Sequence, residues 1–135
     1  MLTSLAGPDF AQTWGELVYG RVFVQHLRLR VTFVEANVYW VPGLLQHAEI
    51  ISASLVIRAT IGQSIAPLHS CMPPAGLRQL DVIGVDNVMW SVDYPHNEGT
   101  FGYTGRAIDY IVNTVGLQAA RKVVSENAIK FFRLD

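Results

Sequence analysis

Between residues 36 and 77 only Glu49 and Arg58 carry a full charge, beside two histidines, His47 and His69. Charged side chains keep a protein surface wet, so a run this sparse has to be buried on more than one side. The chain has 135 residues, 50% hydrophobic and 16% charged, which excludes disorder and confines it to one domain or a part of one. Ten Lys and Arg face eleven Asp and Glu, a net charge of −1 with no basic block, so nucleic acid is not an expected partner. The longer charge-free stretch, 59–77, contains Gln63, Ser64, Pro67, His69, Pro73 and Pro74, which a membrane-spanning helix would not accommodate. No Lys or Arg precedes Asp9, as a secretion signal would require, and Cys71 is the only cysteine, which excludes an internal disulfide. A reducing, cytoplasmic location is the expectation.

Hydrophobic periodicity gives the order of elements. Phe10, Trp14, Leu17, Val18 and Val22 recur at helical steps, predicting a helix over 10–25 that Asp9 caps. Residues 27–35 alternate, with Leu27, Leu29, Val31, Phe33 and Glu35 on one face, which is the period of a strand. Pro42 and Gly43 open a short apolar helix. The branched run 54–61 fits either a strand or a buried helix. A long loop over 62–75 precedes a helix around Leu77, Leu80 and Ile83 that Gly84 stops. Asp86 and Asn87 form a turn into a second alternating run, 88–93, with Met89, Ser91 and Asp93 on one face. Thr104 is placed to cap a helix with the stripe Ile108, Ile111, Val112 and Val115, ended by Gly116, and a last helix runs from Leu117 to about Glu126. Strands interleaved with helices predict a parallel sheet wrapped by helices.

Chemistry-bearing residues fall at strand ends. In parallel sheets and barrels the carboxyl ends of strands point their last side chains into the ligand crevice, which singles out Asp93 and, three residues on, His96. A carboxylate and an imidazole can share a divalent ion, or one can orient the other for proton transfer. The plainer alternative is that Asp93 satisfies turn amides while His96 packs on the surface. Glu35 is the second acid at a strand end, with the same two readings. His26 and His47 are expected on the surface, and His69 with Cys71 supplies two of the four ligands a closed zinc site needs. Trp40, Trp90 and Tyr94 are open to two readings, pocket lining or core.

Two blocks carry a family likeness. Residues 29–42, and more specifically Gly84-Val-Asp-Asn-Val-Met-Trp-Ser-Val-Asp-Tyr-Pro-His96, resemble the amidohydrolase-related family of metal-dependent TIM-barrel enzymes. The tail agrees, in 107–112 and in a Glu-Asn-Ala triplet, 126–128, ahead of the aromatic pair Phe131 and Phe132. The likeness is clearest over 20–50 and 77–135.

The resemblance implies a fold and a site. The fold would be the C-terminal part, about strands six to eight with their helices, of a TIM (β/α)8 barrel, with residues 1–135 as one partial domain. Asp93 would be the carboxylate at the metal centre, binding the ion and serving water or substrate as acid or base, with His96 in the same signature. Glu35 stands where relatives of the aminocarboxymuconate-semialdehyde decarboxylase type carry a catalytic histidine. Phe101 and the loop 97–102 would lie at the pocket rim.

The family's His-x-His metal pair is absent, since the four histidines are His26, His47, His69 and His96. A barrel also needs roughly 200 residues or more. The expected function is therefore hydrolysis of a small carbonyl-containing substrate with a divalent ion, zinc or manganese, in a truncated or split form with an incomplete site and little activity alone. The alternatives are decarboxylation by the same family and a non-catalytic half-barrel module that pairs with a complementary chain or with itself. A small independent open-sheet α/β domain is a further possibility. Unpaired strand edges would favour self-association.

Overall fold

A computed structural model of the chain describes residues 6–34, 36, 38–51, 74–95 and 99–134. In order they form α1 (Ala6–Tyr19), α2 (Val22–Gln25), α3 (Val41–Ile51), α4 (Pro74–Leu77), α5 (Leu80–Ile83), a 3₁₀ turn (Val85–Asn87), α6 (Thr104–Val115), α7 (Leu117–Arg121), a π turn (Lys122–Glu126) and α8 (Asn127–Phe132). The last three are continuous, so the chain closes on one long helix over 117–132.

The predicted helix over 10–25 is two helices. Gly20 and Arg21 break it, Arg21 lying in the left-handed region at φ 60°, and α2 starts after them at Val22. Asp9 sits inside the first turn of α1, where its charge suits the helix dipole, rather than capping it. Thr104 is likewise the first residue of α6 and not its cap, because its hydroxyl donates to the Thr100 carbonyl at 3.1 Å. The stops at Gly84 and Gly116 stand as expected, at φ 86° and 80°. Pro74 and Ala75, expected in the long loop, already belong to α4.

The largest difference concerns strands. Residues 27–34 and 88–93 form no ladder, and no strand is present among the described residues. The expected parallel sheet and half-barrel are therefore not seen there, and the run 54–61 lies outside the described residues. The reason is visible at 88–92, which leaves the 3₁₀ turn with extended backbone at Val88, φ −126° and ψ 133°. Its backbone groups find partners, but in a helix and a loop. A strand is defined by the neighbour that shares its hydrogen bonds.

One core holds these pieces together. Trp14 and Val18 of α1, Phe23 of α2, Phe33, Val38 and Val41 meet Leu77, Leu80, Ile83, Val88, Ile111, Ala120 and Val123, all buried. Phe10, Phe33 and Trp40 make two successive edge-to-face contacts with centroids 5.8 and 6.0 Å apart, and the Trp40 indole donates to the Ala36 carbonyl at 2.8 Å. Arg30 ties the first third of the chain to its end: the guanidinium lies 5.0 Å from the Phe131 ring centroid and donates to the Lys130 carbonyl at 3.4 Å.

Gly76 shows how close the packing is around Val38. A β-carbon added to Gly76 would collide with Val38 Cγ2, inside a core where neither group can retreat into solvent. Gly76→Ala is therefore expected to destabilise the chain by about 1–3 kcal/mol, read as a lower urea midpoint, with Gly43→Ala, which meets nothing within 4 Å among the described residues, as the neutral control.

Candidate functional site

Of the expected catalytic residues Asp93, Glu35 and His96, Asp93 is the one within the described part of the chain. It is 8% exposed and lies at φ 56°, in the left-handed region. Among residues with a β-carbon, aspartate is one of the few that enter this region readily, because its short carboxylate can bond nearby backbone. The Asp93 amide donates to Ser91 Oγ at 3.3 Å. That contact turns the chain at the end of the run, so that Asp93 is set off from the residues before it.

The loop after Asp93 is closed at its base. The Thr100 amide donates to the Val92 carbonyl at 2.9 Å, and the Thr100 carbonyl accepts from the Tyr103 amide and the Thr104 hydroxyl, both at 3.1 Å. Residue 92 is thereby joined to the start of α6. Thr100 is 3% exposed and its hydroxyl is buried without a hydrogen-bond partner among the described residues. Next to these two locked residues stand Tyr94 and Phe101, exposed by 66% and 67%, with ring centroids 4.7 Å apart. The site is a buried aspartate followed directly in the chain by one member of an exposed aromatic pair.

The support beneath Asp93 comes from the closing helix. Asn127, 6% exposed, donates from one side-chain nitrogen to the carbonyls of Val85 at 2.8 Å and Val88 at 2.7 Å. The Trp90 amide donates to the Val123 carbonyl at 2.9 Å. In an α-helix that carbonyl would accept from the amide of Asn127, but here the Asn127 amide goes to Lys122 and forms the π turn, which leaves Val123 free to receive Trp90. Lys122 adds an exposed ion pair to Asp86 at 2.8 Å, worth about 0–1 kcal/mol.

The other candidates separate cleanly. Trp40 and Trp90 pack against the core, and Tyr94 does not. His26 and His47 are exposed, as expected. Glu35, His69, Cys71 and His96 lie outside the described residues. In the sequence Asn127 stands out only as part of the Glu-Asn-Ala triplet and Thr100 only within the loop 97–102, and neither carries a sign of its role. An asparagine inside a helix, where it is disfavoured unless its amide has work elsewhere, is the one physical signal.

The sequence model of the amidohydrolase family matches residues 7–134. The chain belongs to the amidohydrolase family. The match reaches across α1 and the middle of the chain, beyond the 20–50 and 77–135 blocks that carry the clearest likeness. No curated protein matches the chain. Amidohydrolases are TIM barrels that generally use divalent metals. Among the described residues of this amidohydrolase, no three His, Cys, Asp or Glu side chains come together. One carboxylate is too few to hold a divalent ion tightly, so the described donor set does not fit a metal centre.

The backbone at Asp93 gives a direct check on the site. Asparagine also tolerates the left-handed region, whereas a β-branched side chain does not. Asp93→Asn is expected to keep the wild-type urea midpoint, while Asp93→Val lowers stability by about 1–3 kcal/mol.

Proposed function

We propose that these residues are the C-terminal share, about strands six to eight with their helices, of a metal-dependent hydrolase acting on a small carbonyl-containing substrate. The observation that supports it is Asp93, a buried carboxylate at the end of a run whose Trp90 amide and Val92 carbonyl are held by backbone bonds, in a chain of the amidohydrolase family. Asp93 acts as the base: its carboxylate takes a proton from water as the water oxygen bonds to the substrate carbonyl carbon. The proton then passes to the leaving group as the scissile bond breaks. Such positioned proton transfer contributes about 10²–10⁴-fold in rate. The Tyr94 and Phe101 rings form the apolar rim beside it.

The zinc or manganese ligands of this reading lie beyond the described residues, and the 135-residue chain by itself has little activity. Glu35 or His96, both outside the described residues, would complete the acid–base set. Decarboxylation is the alternative within the same family. Hydrolysis is preferred because position 35 is a glutamate, where decarboxylase-type relatives carry a histidine. The single cysteine suits a cytoplasmic setting, and no helix among the described residues is long and apolar enough to cross a membrane.

A second reading, an interaction module that pairs with a complementary chain or with itself, draws on the surface of 27–34. There Leu27 is 82% exposed, with Leu29 and Val34 also exposed. On that reading Leu27→Glu shifts the sedimentation of the purified chain toward monomer.

The hydrolase reading is tested by joining the chain to a polypeptide that supplies the His-x-His segment and assaying lactones, esters and amides. Metal-dependent hydrolysis is expected, falling about 10²–10⁴-fold in Asp93→Asn. Metal analysis of the 135-residue chain alone is expected to find less than one zinc or manganese per molecule, and a full equivalent would overturn the incomplete site.

A further inference from the structure

The carboxylate of Asp93 is only as well placed as the extended run that delivers it. Three of that run's backbone groups have partners two residues apart: the Val88 carbonyl, the Trp90 amide and the Val92 carbonyl, at 2.7, 2.9 and 2.9 Å. This is the spacing at which an extended chain turns its polar groups to one edge. The partners along that edge are the Asn127 carboxamide, the Val123 carbonyl freed by the π turn, and the Thr100 amide. Two of the three come from the closing helix. The Asn127 carboxamide also reaches the Val85 carbonyl, so it brackets the 3₁₀ turn and fixes where the run begins.

We propose that Asn127 is a positioning residue for Asp93: with the Val123 carbonyl it sets the register of the 88–92 run and so holds Asp93 in its left-handed, buried conformation. This rests on the reading of Asp93 as the catalytic carboxylate. Asn127 does not touch the reacting atoms. It acts through five residues of backbone. The Val88 bond is buried and the Val85 bond partly so, and a side chain without donors leaves the enclosed Val88 acceptor unsatisfied, so that the start of the run loses its anchor. Thr100 still holds the far end, and Asp93 then swings between one fixed point and one loose one.

The test is nuclear magnetic resonance on the isotopically labelled 135-residue chain. In Asn127→Leu, the Cα resonance of Asp93 is expected to leave its left-handed position. Protection of the Trp90 amide against hydrogen exchange should fall about tenfold or more. The Trp14 indole signal in the α1 core should stay in place. Asn127→Gln, which keeps the donor on a longer arm, should restore part of the Asp93 shift. Ile111→Val, a core truncation on α6, should lower stability without moving Asp93, which separates positioning from general loosening. An unmoved Asp93 resonance in folded Asn127→Leu would overturn the proposal.

If Asn127→Leu does not fold, exchange in the unaltered chain under mild urea decides. The Asn127 carboxamide, Trp90 amide and Asp93 amide are expected to open in one step, and an Asp93 amide that opens independently of the other two overturns it. These readouts do not depend on catalysis. Loss of hydrolysis tests Asp93 as a catalyst, and the Asp93 resonance tests Asn127 as its support.

Discussion

A backbone group removed from water has to be given a partner, and the structure around Asp93 is arranged by that requirement. An extended segment in a sheet passes the obligation to the next strand. Here the segment 88–92 meets it with a helix, one asparagine side chain and the first residue after a loop. The π turn follows from the same demand, since a regular α-helix would have no spare carbonyl at Val123. The burial of Val88 and Val123, both fully enclosed, keeps water from competing for these bonds.

Much of the helical half was legible from the sequence because its signals are local. Glycines at 84 and 116 stop helices in the structure where the pattern places them, and the stripe containing Ile111 and Val112 faces the core. Local signals also misled at the edges: Gly20 broke a helix whose apolar spacing continues past it, and Thr104 used its hydroxyl on Thr100 instead of on its own helix end. The alternation at 27–34 and 88–93 is a real pattern of faces. Yet alternation describes side chains and says nothing of which neighbour takes the backbone bonds, so strands could be expected there without any forming among the described residues.

The candidate site divides along the same line. Asp93 was legible because a carboxylate closing an alternating apolar run is conspicuous, and the Asp-Tyr-Pro-His block carries the family likeness. Its support was not legible. Asn127 lies 34 positions further along the chain, and only the folded arrangement shows that its amide ends at Val85 and Val88. The Tyr94 and Phe101 pairing was equally hidden, because it depends on the Val92 to Thr100 bond that draws the two ends of a loop together.

The π turn at Lys122–Glu126 also places a limit on length. The wide turn closes its hydrogen bond one residue later than a regular turn, so removing one residue there would restore regular helix, keep the facing of everything after it, and return the Val123 carbonyl to the helix's own ladder. The Trp90 amide would then lose its acceptor while Asn127 kept Val88. The residue count of this interval is thus tied to the middle of the run that the helix grips.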